Sequence, residues 1–139
     1  MRRSTFVVWP KGEGEEISLE ALRAALEEYR ERLEKTGEQL DAPYASWAFP
    51  YEIEERERHG IRYLYLRGKG VTPQEYTGLL LTAGSADGQN VVQITVVRGA
   101  TDGDFAKANE LARYLARRWK AEIVPFTGKV KRQYTHAKR

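Results

Sequence analysis

Two apolar stripes at helical spacing, set far apart in the chain, limit the fold most. Leu19, Leu22, Leu26, Tyr29 and Leu33 recur every three or four residues, and so do Phe105, Ala108, Ala112, Leu115 and Trp119. Each run predicts an amphipathic helix with one face to bury. The segments between and around them are short, β-rich and bounded by turn residues. Two helices are too few to cover both faces of a sheet. The pattern therefore predicts an α+β fold: a two-layer sandwich of a mostly antiparallel sheet with both amphipathic helices on one face.

The ends of the helices are marked. Ser18 is the expected N-cap of the first, with Ile17 placed to staple onto Leu22, and Gly37 is the expected stop. Glu28–Arg32 and Glu31–Lys35 stand four apart in the favourable order. Thr101 is the expected N-cap of the second helix, and Asp104 three residues later suggests a capping box. Strands are expected at Thr5–Trp9, Tyr51–Arg58, Ile61–Arg67, Tyr76–Ala83, Val91–Val97 and Glu122–Phe126. His59-Gly60 and Asp87-Gly88 supply hairpin turns. Ile61, Tyr63 and Tyr65 fall on one side of their strand and Leu64 and Leu66 on the other, so that strand is expected to be covered on both sides or to be central. The order is β-α-β-β-β-β-α-β-(β) in a single globular domain over residues 1–139, with 129–139 a basic final strand or tail.

No cysteine is present, which removes thiol chemistry, disulfides and cysteine-based zinc sites and favours an intracellular, cytoplasmic setting. No apolar run approaches the ~20 residues that span a bilayer, so no membrane role is expected. Phe6-Val7-Val8-Trp9 is too short for the apolar part of a signal peptide and reads as a first strand. The formal net charge is +3, but it is unevenly spread: residues 1–60 carry −5 and residues 61–139 carry +8. Such asymmetry predicts either a charged partner surface or mutual attraction of the two halves within the fold.

Several stretches look familiar. Thr36-Gly37-Glu38-Gln39-Leu40, Ala48-Phe49-Pro50-Tyr51-Glu52-Ile53, Thr101-Asp102-Gly103-Asp104 and Lys107 to Ala116 resemble a small uncharacterised family from Bacillus-type bacteria, classed as a domain of unknown function. The resemblance implies a cytosolic bacterial α+β domain. It brings no catalytic or binding residue with it.

The chemistry-bearing residues each have a plainer explanation. Glu52 and Glu54 point the same way from one strand, roughly 6–7 Å apart, as paired carboxylates do in glycoside hydrolysis. They also alternate with Tyr51 and Ile53 as a solvated face does. Asp102-Gly103-Asp104 resembles a cation-binding pair, yet the following residues lack the ligands of a calcium loop and helix capping explains both. His59 and His136 come with no nucleophile or ligand spacing. Arg67-Gly68-Lys69-Gly70 has glycines beside a basic residue but not the order of a phosphate loop.

No catalytic residue, cofactor or metal is expected. The leading expectation is a non-catalytic protein-interaction domain, with self-association as a homodimer included. Its interface residues are Tyr44, Trp47, Tyr51, Tyr63 and Tyr65, because Tyr and Trp are enriched at interfaces. The alternative is sequence-nonspecific nucleic-acid binding through the basic C-terminal segment, with Arg113, Arg117, Lys129, Lys131 and Arg132 on phosphates. A hydrolase built on the glutamate-rich strand is a third class.

Overall fold

The computed structural model describes residues 3–12, 14–42, 48–69, 76–126 and the backbone of 131–132. Among the described residues, seven strands and two helices follow the chain as β1 (Ser4–Pro10), α1 (Leu19–Leu40), β2 (Tyr51–Arg58), β3 (Ile61–Gly68), β4 (Gly78–Ala86), β5 (Gln89–Val96), α2 (Asp102–Trp119), β6 (Glu122–Val124) and β7 (Lys131–Arg132). The strands form one sheet in the order β2-β3-β4-β5-β1-β6-β7, and every neighbouring pair is antiparallel. β1 therefore enters the middle of the sheet, between β5 and β6. The fold is α+β with the element order read from the sequence.

Register sorts the side chains onto two faces. Leu64 faces Leu81, Leu81 faces Ile94, Leu79 faces Val96, Val92 faces Val7, and Val7 faces Ile123. All eight are almost fully buried. Leu19, Leu22, Ala25, Leu26 and Tyr29 of α1 and Ala108, Leu111, Ala112 and Leu115 of α2 belong to the same core cluster. Both helices thus lie on one face of the sheet, α1 against β3 and β4, α2 against β1, β4, β5 and β6. Trp9 of β1 stacks on Trp119 at 4.8 Å between ring centroids, which ties the end of α2 to the sheet.

The caps follow the local chemistry. Ser18 accepts from Ala21 N–H at 3.0 Å, and Ile17 packs against the core as a staple. Thr101 and Asp104 form a complete capping box. Both hairpin turns place two successive residues at positive φ, His59 with Gly60 and Asp87 with Gly88, as tight two-residue hairpins require.

Gly37 does not end α1. The helix runs on to Leu40, and Asp41 takes the left-handed cap position at φ 54. Ala42 N–H then donates to Gly37 carbonyl and Asp41 N–H to Glu38 carbonyl, the paired bonds of a Schellman ending. Gly37 supplies the acceptor, while an aspartate, whose short polar side chain tolerates the left-handed region, makes the turn.

Candidate functional site

The second face of the sheet bears no helix among the described residues. Across β4, β5, β1 and β6 it presents Leu80, Thr82, Val91, Gln93, Thr95, Ser4, Phe6, Val8 and Val124, all partly exposed. Phe6 faces Val124 and Val8 faces Val91, so four apolar side chains adjoin. The polar groups beside them satisfy one another. Ser4 Oγ and Thr95 Oγ1 are 2.8 Å apart, and Gln93 Nε2 donates to both. Docking here would leave few hydrogen-bond groups stranded from water.

The interface residues expected from the sequence fall on different sides. Tyr63 and Tyr65 lie on the open face, because Arg56 and Glu54 face them from β2. Their strand is not covered on its second side by any described element. Instead Tyr65 makes its own shelter. The Arg56 guanidinium sits 4.3 Å from its ring centroid, and a Cβ on Gly78 would come within 2.8 Å of Tyr65 Cε1. The Tyr65 ring therefore occupies the space that a side chain at Gly78 would need.

Tyr51 is a correction. It is fully buried on the helix side, so it is not an interface residue. Its hydroxyl donates to Asp104 at 2.7 Å, and its ring meets Phe49 and Tyr76 edge-on. Burial first, then that bond to a carboxylate, raise its phenol above the ordinary value. Tyr44 and Trp47 lie outside the described residues.

Asp104 is fully buried at the start of α2. Its carboxylate accepts from Tyr51 Oη, Thr77 N–H at 2.8 Å and Thr101 N–H at 3.1 Å. These donors fill the oxygens that a cation would need, so Asp104 pins β2, the entry to β4 and α2 together. Among the described residues no group of three or more His, Asp or Glu could hold a metal.

The glutamate-rich strand β2 is a lattice of ion pairs. Glu54 accepts from Arg67 and Arg56, and Lys69 stands 3.6 Å from Glu52. The hydrogen bonds from Arg67 and Arg56 hold the Glu54 carboxyl below its ordinary value. That is the reverse of what a general acid needs. The adjoining glycine loop is structural where it is described. Gly68 N–H donates to Thr77 carbonyl and Lys69 N–H to Pro50 carbonyl, so neither is free for phosphate. A Cβ on Gly68 would meet Tyr76 carbonyl at 2.3 Å, which explains the glycine. Residues 70–73 and His136 lie outside the described residues, and His59 is an exposed turn residue.

The charge asymmetry has an internal outlet. Glu20, Glu28, Glu52, Glu54 and Glu55 from the acidic half pair with Arg62, Arg67, Lys69 and Arg118 from the basic half. The basic residues proposed for phosphates are dispersed. Arg113 and Arg117 are exposed on α2, Lys131 and Arg132 lie in the edge strand β7, and Lys129 is outside the described residues. Arg32, Tyr114, Arg117 and Arg118 line a depression of about 240 Å³ between the outer surfaces of the helices. Sequence reasoning missed Arg32 and Tyr114 there, because only the packing of α1 on α2 brings them beside Arg117.

A second polar cluster sits between the helices. Lys107 is 7% exposed, and its Nζ donates to Glu110 at 3.0 Å and lies 3.3 Å from Tyr29 Oη. Tyr29 Oη also donates to Glu110. Burial pushes the Glu110 carboxyl up, but the bonds from Tyr29 and Lys107 outweigh it and leave the group below its ordinary value.

Fold and surfaces together define an α+β protein with one sheet face covered by helices and the other without a helix among the described residues. Residues 3–135 match the family described as a domain of unknown function (DUF1885), and the chain belongs to that family. It is similar to a protein of unknown function from Bacillus stearothermophilus whose crystal structure is known. That similarity is 34% in sequence identity over 86% of this chain and 91% of the other, with a TM-score of 0.56. A comparison with functionally curated proteins finds no match. No described helix is long and apolar enough to cross a membrane.

Proposed function

We propose that the protein is a cytosolic, non-catalytic interaction domain that self-associates through its open sheet face. The observation that carries this is the cluster Phe6, Val8, Val91 and Val124 on a face without a helix layer among the described residues. A second copy is the occupant that the surface suits. Its polar centre is internally hydrogen-bonded, and its charged margin pairs Glu54 with Arg56 and Arg67. Such a face does not repel its own image, which a two-fold interface requires. The absence of cysteine supports the cytosolic setting. Sedimentation across a concentration series tests the reading. A dimer that Phe6→Glu converts to monomer is the expected result. A wild-type monomer at every concentration would remove self-association.

The second reading is phosphate-backbone binding to nucleic acid. It is favoured by Arg113 and Arg117, which are exposed one turn apart on α2. Anisotropy titration with single- and double-stranded oligonucleotides at low salt tests it. Saturable binding that falls steeply with salt and little with sequence is the expected signature.

A further inference from the structure

We infer that the depression between α1 and α2 is a binding site for a small multivalent oxyanion of the phosphate type. Its described lining is Arg32 from α1 and Tyr114, Arg117 and Arg118 from α2. Three guanidinium groups thus line one recess, each a planar fork suited to paired oxygen acceptors. The carboxylate bound to this lining is Glu28. It accepts from Arg118, lies 3.6 Å from Arg32 and 3.4 Å from Tyr114 Oη. Arg118 and Glu28 hold each other, and both hydrogen bond and charge from Arg118 keep Glu28 ionised below the ordinary carboxylate range. One negative charge set among three positive ones leaves a surplus of two.

Arg62 and Arg67 of the basic half are each locked onto glutamates of the acidic half, Arg62 onto two of them. Arg117 is exposed and has no ion pair among the described residues, although it lies in the recess. Arg32 is 68% exposed at its side chain and its guanidinium leans over Tyr114, 5.6 Å from the ring centroid. Arg32 and Arg117 therefore reach the recess from different helices, while Arg118 is held by Glu28. The free ion and the terminal phosphate of a nucleotide share this phosphate-type chemistry.

The test is a titration of the full chain with inorganic phosphate, pyrophosphate and adenosine monophosphate at constant ionic strength, read by arginine side-chain NMR shifts. Saturable shifts of Arg32 and Arg117, strongest with pyrophosphate and absent with chloride, are expected. Arg117→Gln and Arg32→Gln should each weaken binding about tenfold, the scale of one charge-assisted contact. Arg98→Gln, an equal loss of charge on an exposed loop, should leave it unchanged. Unchanged thermal melting of Arg117→Gln shows that the loss is not unfolding. If adenosine monophosphate matches inorganic phosphate, the free ion suffices, and if it binds more tightly the source is a nucleotide; either supports the site. Two results overturn it. One is no saturable shift into the tens of millimolar. The other is an equal loss in Arg98→Gln, or shifts only with an oligonucleotide and spread over the basic surface, which would mean diffuse charge attraction.

Discussion

The two faces of the sheet are made by alternate residues of the same strands, yet they are stabilised differently. On the helix side Leu64, Leu66, Leu79 and Leu81 are completely removed from water. On the other side their immediate neighbours Tyr63, Tyr65 and Leu80 remain partly exposed. The first face is held by packing against helices, in which each methylene counts. The second is held by cross-strand pairs such as Tyr65 with Leu80 and Phe6 with Val124, each of which contributes less. Stability is thus concentrated on the helix side of the sheet.

The sharpest break of this comparison is Leu26→Ala. Leu26 is fully buried under α1, so its truncation should cost ~2–5 kcal/mol, read from chemical denaturation. Val91→Ala on the open face should cost under ~1 kcal/mol in the monomer. Equal losses would mean that the open face is covered after all. Asp104→Ala comes next. It strands Tyr51 Oη and the N–H groups of Thr77 and Thr101 together, and about 2–4 kcal/mol should be lost. Tyr65→Ala should cost about 1 kcal/mol, as it uncovers the Gly78 backbone and releases Arg56.

The smallest effect concerns Glu110. Its folded-state carboxyl titrates below the ordinary value of 4.5. Its stabilisation is therefore present above the unfolded value and is lost as the pH falls through the folded one. The side chain is 48% exposed, so solvent screening keeps the effect below ~1 kcal/mol. Glu110→Gln should narrow the stability gap between neutral pH and about pH 3, measured by urea unfolding at both.

What was legible in the sequence was local. Ser18, Thr101 and Asp104 act within one helical turn, and His59-Gly60 and Asp87-Gly88 within one hairpin, so their roles follow from spacing. The division of Leu64 and Leu66 from Tyr63 and Tyr65 onto opposite faces followed from strand alternation, but which face is the buried one did not. What was hidden depends on distant partners. Tyr51 was read as an interface aromatic because nothing near it announces Asp104, which lies 53 residues on. Arg32 was read as the i,i+4 partner of Glu28. The structure adds Arg118, 90 residues on, as a second claimant and so creates the basic recess. Gly37 misled for a local reason: Asp41 offered an alternative left-handed cap four residues beyond the expected stop.

The edge strand β2 has a consequence for colloidal behaviour. Six of its eight residues are charged, and the opposite edge, β7, consists of Lys131 and Arg132. An unpaired strand invites a neighbouring chain to extend the sheet sideways, and closely spaced charge is what discourages that approach. Charge along β2 thus works against open-ended lateral growth at that margin. A second copy docked on the broad open face would therefore close into a discrete pair and not seed a growing sheet.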